Sequence, residues 1–236
     1  MPLPLWRTLL WPGTMTALVA ALLALIAVRF LVPRLPEPEV DPDDPFVKPL
    51  YRDLVRPGVT IPALALGGIA GGTSPLAGGM VLGALALAGL GAALSSVDAA
   101  TTYLPSRLHW LTVSAVVLLG ALGVLLWEPR ARWWPIGLGA VFGALASFCL
   151  FWVIWRVGNG FGYGDVRLAT LTGGFCGALG VQTWWAGMLL GTIVGAVCAI
   201  AVALYRRRHP SPLGTAFPYG PALWAGPFLA LLMSAW

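Results

Sequence analysis

The sequence predicts an all-α polytopic membrane protein with about eight transmembrane segments, some of them short or re-entrant. Three observations carry this. Hydrophobic residues make up 58% of the 236 and charged residues only 10%, whereas an ordinary soluble domain carries about 25% charged residues. Mean hydropathy is +0.84, and several apolar runs reach the roughly 17–25 residues that take a helix across a bilayer. Lysine and arginine gather in the loops on one side of the alternating crossings, the asymmetry that orients membrane proteins.

The segments are expected at about 14–32, 59–74, 76–96, 108–127, 133–155, 166–181, 183–204 and 219–236, by apolar run length. The run from Met15 to Val32 follows Arg7. It is longer than the apolar part of a signal peptide, so it reads as an uncleaved first helix. The second and sixth segments are the short ones. Glycine occurs 30 times, and positions such as Gly174, Gly177 and Gly191 suit close packing between membrane helices.

Eight crossings place Arg34, Lys48, Arg52, Arg56, Arg107, Arg156, Arg167, Arg206, Arg207 and Arg208 on one face, and Arg7, Arg130 and Arg132 on the other. The first face is therefore expected to be cytoplasmic. The net charge of +5 is explained by this topology, and no nucleic-acid partner is expected. Membrane lipids are the surroundings such a surface requires. Arg107, Arg167 and the Arg206–Arg208 run read as anchors at that face. Trp110, Trp127, Trp133, Trp134, Trp184 and Trp185 read as interfacial belts, and His109 and His209 as interfacial residues.

The whole chain, 1–236, is expected to form a single membrane domain. Residues 33–58 make its one sizeable polar stretch, rich in proline and acidic residues. It is too short and polar to build a core and reads as a cytoplasmic loop, with the part from Lys48 to Arg56 lying on the anionic lipid surface. Cys149, Cys176 and Cys198 lie singly in apolar runs. They read as small packing residues, and no metal or other cofactor is expected.

Six of the nine acidic residues fall in the polar loop, leaving Asp98, Glu128 and Asp165 for the membrane body. Charge near lipid is costly and tends to be functional. Glu128 adjoins Arg130 and Arg132, and a solvated ion pair explains it. Asp98 and Asp165 fall at the cytoplasmic ends of two segments, at similar depth. Two carboxylates that meet cannot both ionise, so one holds a proton. One then activates water while the other protonates a leaving amine, which hydrolyses a peptide bond. Taken singly, Asp165 reads rather as a helix cap, and Asp98 as a helix-end residue reaching water.

Asp165 ends the run Gly162, Tyr163, Gly164, Asp165, a GxGD pattern that is weak alone. Asp98 is followed seven residues later by Pro105 in a Leu-Pro step. Near the end of the sequence stand Phe217, Pro218, Tyr219, Gly220 and Pro221. These three stretches, in this order, resemble the motifs of the type IV prepilin peptidases, GxGD intramembrane aspartyl proteases, over about residues 90–236. In that family lysine usually stands where Arg167 does.

The resemblance implies catalysis by Asp98 and Asp165. It implies supporting or substrate-binding roles for Gly162, Gly164, Pro105, Arg167, Pro218, Gly220 and Pro221. The implied substrate is a prepilin or pseudopilin of a type IV pilus or type II secretion system, cut at the cytoplasmic boundary of the bacterial inner membrane. Arg107, Arg167 and the Arg206–Arg208 run are then also candidates to hold an acidic residue of the substrate. The family's long form carries a zinc-binding CxxC module after the first helix and is linked to N-methylation. This sequence has no CxxC pair, so the form without that module is expected. The helix ends favour Asp165, at a helix start, as the base and Asp98 as the acid. Three other readings remain open. One is a preflagellin-processing or presenilin-like GxGD peptidase. The others are a small proton-coupled transporter and a non-catalytic assembly factor.

Overall fold

The structure is a computed structural model that describes residues 5–37, 49–158, 162–208 and 217–235. Eight α-helices account for almost all of it: α1 Leu5–Ile26, α2 Pro57–Thr73, α3 Val81–Thr101, α4 Ser106–Trp127, α5 Arg130–Val157, α6 Tyr163–Leu179, α7 Val181–Arg206 and α8 Gly220–Ser234. Each overlaps one expected segment, so the all-α polytopic fold is borne out. Among the described residues, five helical stretches are long and apolar enough to cross a membrane: Pro12–Arg34, Pro57–Thr101, Ser106–Trp127, Arg130–Val157 and Val181–Arg206. α6 and α8 are shorter, at 17 and 15 residues.

The helices run alternately between two faces. One face collects the α3–α4 connection, the start of α6 and the start of α8. The other collects the turn Ser74–Met80 between α2 and α3, the α4–α5 connection and the single residue Gly180 between α6 and α7. Gly180 reverses the chain at φ 124°, a conformation that only glycine takes without cost.

Packing divides the bundle into two groups. α1, α2 and α3 pack together with α4 on α3, and α5 packs on α6 with α7 and α8 beside it. α8 returns across α3 and α2 and ties the groups together. The α5–α6 pair is close because each helix carries glycines four residues apart. A Cβ at Gly139 would lie 2.3 Å from the Gly177 carbonyl oxygen, and one at Gly143 would lie 2.4 Å from that of Gly173. Such small-residue contacts hold helices together where no hydrophobic effect does.

At the face away from the aspartates, Glu128 is not the solvated ion pair expected. Its side chain is only 13% exposed. It pairs with Arg132 at 2.8 Å and also accepts a 3.1 Å hydrogen bond from the Gly79 backbone N–H. The carboxylate thus joins the α4–α5 corner to the α2–α3 turn. Arg130 instead lies over the Trp133 ring.

Trp110, Trp127, Trp134 and Trp185 are exposed on the outer surface, as a belt requires. Trp184 turns inward and donates to the Gly143 carbonyl and Ser147 Oγ. Cys149 and Cys198 are exposed and Cys176 is buried. Lys48, His209 and the middle of the polar 33–58 stretch lie outside the described residues.

Candidate active site

Asp98 lies in the last turn of α3 and is buried. Its position is set by α8. The Trp224 indole N–H donates to the Leu87 carbonyl at 2.8 Å, and the ring covers Gly91. One turn earlier, the Gly220 backbone N–H donates to Asp98 Oδ2 at 3.0 Å. A Cβ at position 220 would stand 2.5 Å from that same oxygen, so the approach requires glycine. Pro221 fits beside it at the start of α8, where a missing N–H has no helical partner to lose. The Tyr219 hydroxyl donates to the Thr192 carbonyl at 2.9 Å, with its ring against Gly195, and so anchors the α8 start to α7. Pro218 is half-buried just before α8.

Asp165 is the third residue of α6, with Gly162 as N-cap. Its Oδ2 accepts the Gly162 N–H at 3.1 Å, so the capping role does exist. It engages one carboxylate oxygen, as the Gly220 bond does in Asp98. Among the described residues, neither carboxylate has a cationic partner within ion-pair distance. The two groups lie close enough for the charge of Asp165 to act on Asp98.

The stretch between Thr101 and Ser106 links the aspartates. α3 ends at Thr102 in the left-handed conformation, φ 58°. Thr101 Oγ1 accepts the Tyr103 N–H at 3.1 Å. Pro105 is buried and caps α4. Gly164 meets this stretch directly, since a Cβ there would lie 2.9 Å from Leu104 Cβ. Arg167 is more than the positive-face anchor expected. Its two terminal nitrogens donate to Ser106 Oγ at 2.8 Å and to the Leu104 carbonyl at 2.9 Å. The planar fork of arginine suits such a double contact.

Every motif residue singled out in the sequence therefore lies in or beside one locus, where α3, α6 and the start of α8 converge. Two neighbours were not anticipated. Tyr51 and Leu54 of the polar stretch are buried, in a turn (Tyr51–Leu54) that packs against α3, instead of resting on a lipid surface. Glu37 holds this turn, accepting the Tyr51 N–H at 2.9 Å. Tyr51 lies within electrostatic reach of Asp98 and Arg167, and burial together with nearby Glu37, Tyr103 and Asp98 pushes its hydroxyl pKa up to about 12. The spacing of Tyr51 and Leu54, one 3-10 turn apart, was the one signal for this in the sequence. His109, expected at the interface, is 2% exposed. Among the described residues, no three His, Cys, Asp or Glu side chains gather as a metal-ligand set.

No protein-family model and no solved structure matches the chain. Curated proteins do. The chain is 32% identical over 157 residues to a prepilin leader peptidase/N-methyltransferase of Aeromonas salmonicida, which covers 64% of this chain and 49% of that protein. It is 34% identical over 103 residues to the protein of the same name from Escherichia coli K12, covering 41% of this chain and 43% of that one. The chain thus spans about half the length of the curated relatives it matches. The comparisons agree with the resemblance read from the sequence: over the shared stretch this polytopic membrane chain is similar to proteins named prepilin leader peptidase/N-methyltransferase.

Proposed function

We propose that the protein is an intramembrane aspartyl endopeptidase that removes the leader peptide of prepilins or pseudopilins. Asp98 and Asp165 would act as the catalytic pair, at the cytoplasmic boundary of a bacterial inner membrane. The observation that carries this reading is the convergence of two carboxylates from opposite groups of the bundle. Each has one oxygen held by a glycine N–H, at Gly220 and at Gly162. A carboxylate pair sharing one proton supplies both a base for water and an acid for the leaving amine. With one oxygen of each held, the other would take the common water in this reading, and holding a reacting group in place is what such chemistry needs.

The helix-end argument gives the base role to Asp165 in the first turn of α6. The start of α8 also points at Asp98 through the Gly220 N–H, so each carboxylate meets the N-terminal end of a helix. The reading covers the peptidase half of the relatives' name alone.

Co-expression with a candidate prepilin tests the proposal. A shift of the pilin to its mature size is expected, and loss of that shift with Asp98→Asn or with Asp165→Asn. Cleavage at the unaltered rate by either variant refutes the catalytic pair. Solute flux that depends on Asp98, with no cleavage, favours the transporter.

A further inference from the structure

α4 and α5 are joined only by Glu128 and Pro129, yet they pack little on one another. α4 lies on α3 and α5 on α6. Between them opens a groove of about 720 Å³ floored by α6, with apolar walls such as Val117 of α4 and Val141 of α5. This is the same division between helix groups that separates Asp98 from Asp165. On α6 the lining runs from Tyr163 to Ala178, about 22 Å at the α-helical rise. One leaflet of the hydrocarbon core is only about 15 Å deep. The groove therefore crosses most of the bilayer.

One end of the groove is polar. His109 and Arg167 both line it there. Among the described residues, neither His109 Nδ1 nor Arg167 Nε has a hydrogen-bond partner, and both atoms are buried. Leaving such groups unpaired in an apolar setting is costly, so this end is built to meet a polar group. Arg167 also marks the boundary with the aspartates, because its other nitrogens hold Leu104 and Ser106. Asp165, two residues earlier, lies about 200° round α6.

We propose that this groove seats the membrane-spanning apolar helix of the substrate, with His109 and Arg167 taking a carboxylate or other acceptor at the end of that helix. The inference rests on the peptidase reading above. Its length fits a helix that crosses both leaflets, whereas a phospholipid occupies only one. From the polar end the substrate chain passes round the α6 start to the carboxylates, about one helix diameter of 10–12 Å, or about three extended residues. Gly162, exposed at the α6 start, puts no side chain into that path.

Cross-linking tests the groove without requiring cleavage. A benzophenone side chain is placed at Val117, Val141 or, as a control on the outer face of α7, Ile200, in Asp98→Asn/Asp165→Asn protein reconstituted with full-length prepilin. Cross-links to the apolar segment of the prepilin are expected at Val117 and Val141 and not at Ile200. Yields no higher than at Ile200, or cross-links to lipid alone, overturn the inference. On the active protein, Ala121→Trp narrows the groove. It is expected to lower kcat/KM for full-length prepilin at least tenfold more than for a short soluble peptide with the same cleavage site. Equal losses overturn the groove and leave the peptidase standing. A wild-type protein that cleaves neither substrate overturns the peptidase reading, and the cross-links then still report whether the helix docks.

Discussion

Asp98 and Gly220 lie 122 positions apart in sequence, and the backbone N–H of one meets the carboxylate of the other at 3.0 Å. This bond joins the end of α3 to the start of α8. The glycine is there because nothing larger than hydrogen fits beside Oδ2.

Gly220→Ala is therefore expected to displace the Asp98 carboxylate while Trp224 still holds α8 to α3. A displacement of about 1 Å in a reacting group costs on the order of 10²-fold in rate. Prepilin processing should fall by that order with the thermal melting temperature changed little. An unaltered rate would show that the orientation of Asp98 does not matter.

Arg167 bridges α6 to the Leu104–Ser106 stretch through two hydrogen bonds. Arg167→Ala is expected to lower stability by about 2 kcal/mol, the scale of charge-assisted hydrogen bonds, and to slow processing. Arg167→Lys retains the charge but not the fork and should fall between the two. Detergent-solubilised melting curves and cleavage rates order the three proteins.

Glu128 ties Gly79 to Arg132 at the face away from the aspartates. Glu128→Ala leaves the Gly79 N–H unsatisfied, and a loss of about 1–3 kcal/mol in stability follows. Cleavage at a temperature where the variant is folded should match the wild type. Selective loss of activity without loss of stability would contradict this purely structural role.

Burial raises the Tyr51 hydroxyl from its ordinary 10.0 to about 12 in the folded protein. The unfolded chain releases this proton first as pH rises, so the folded state holds more protons between the two values. Stability is therefore full below about pH 10 and is lost as pH climbs toward 12. Tyr51→Phe removes this contribution. The melting temperatures of variant and wild type should differ more at pH 11 than at pH 9, with the wild type losing more on going to the higher pH. Parallel curves would place the hydroxyl in water.

The eight helices could be read directly because lipid imposes a simple local rule: a segment that spans it must be apolar for its full length and satisfy its own backbone. Run length alone therefore located α2 and α4 to α8 to within about three residues, whereas α3 lies five residues later than expected and α1 begins at Leu5 and not near 14. The two lone carboxylates stood out for the same reason, since charge is scarce in such segments. Partners were another matter. That Gly220 faces Asp98, that Arg167 holds Leu104 and not lipid headgroups, and that His109 is buried all depend on which helices meet. In a membrane that choice rests on close small-residue contacts, such as Gly139 against Gly177, which leave little trace in hydropathy. The inward turn of Tyr51 and Leu54 was hidden for a related reason. Two buried side chains in a polar stretch are too few to register as a pattern, and only the finished bundle supplies the surface that covers them.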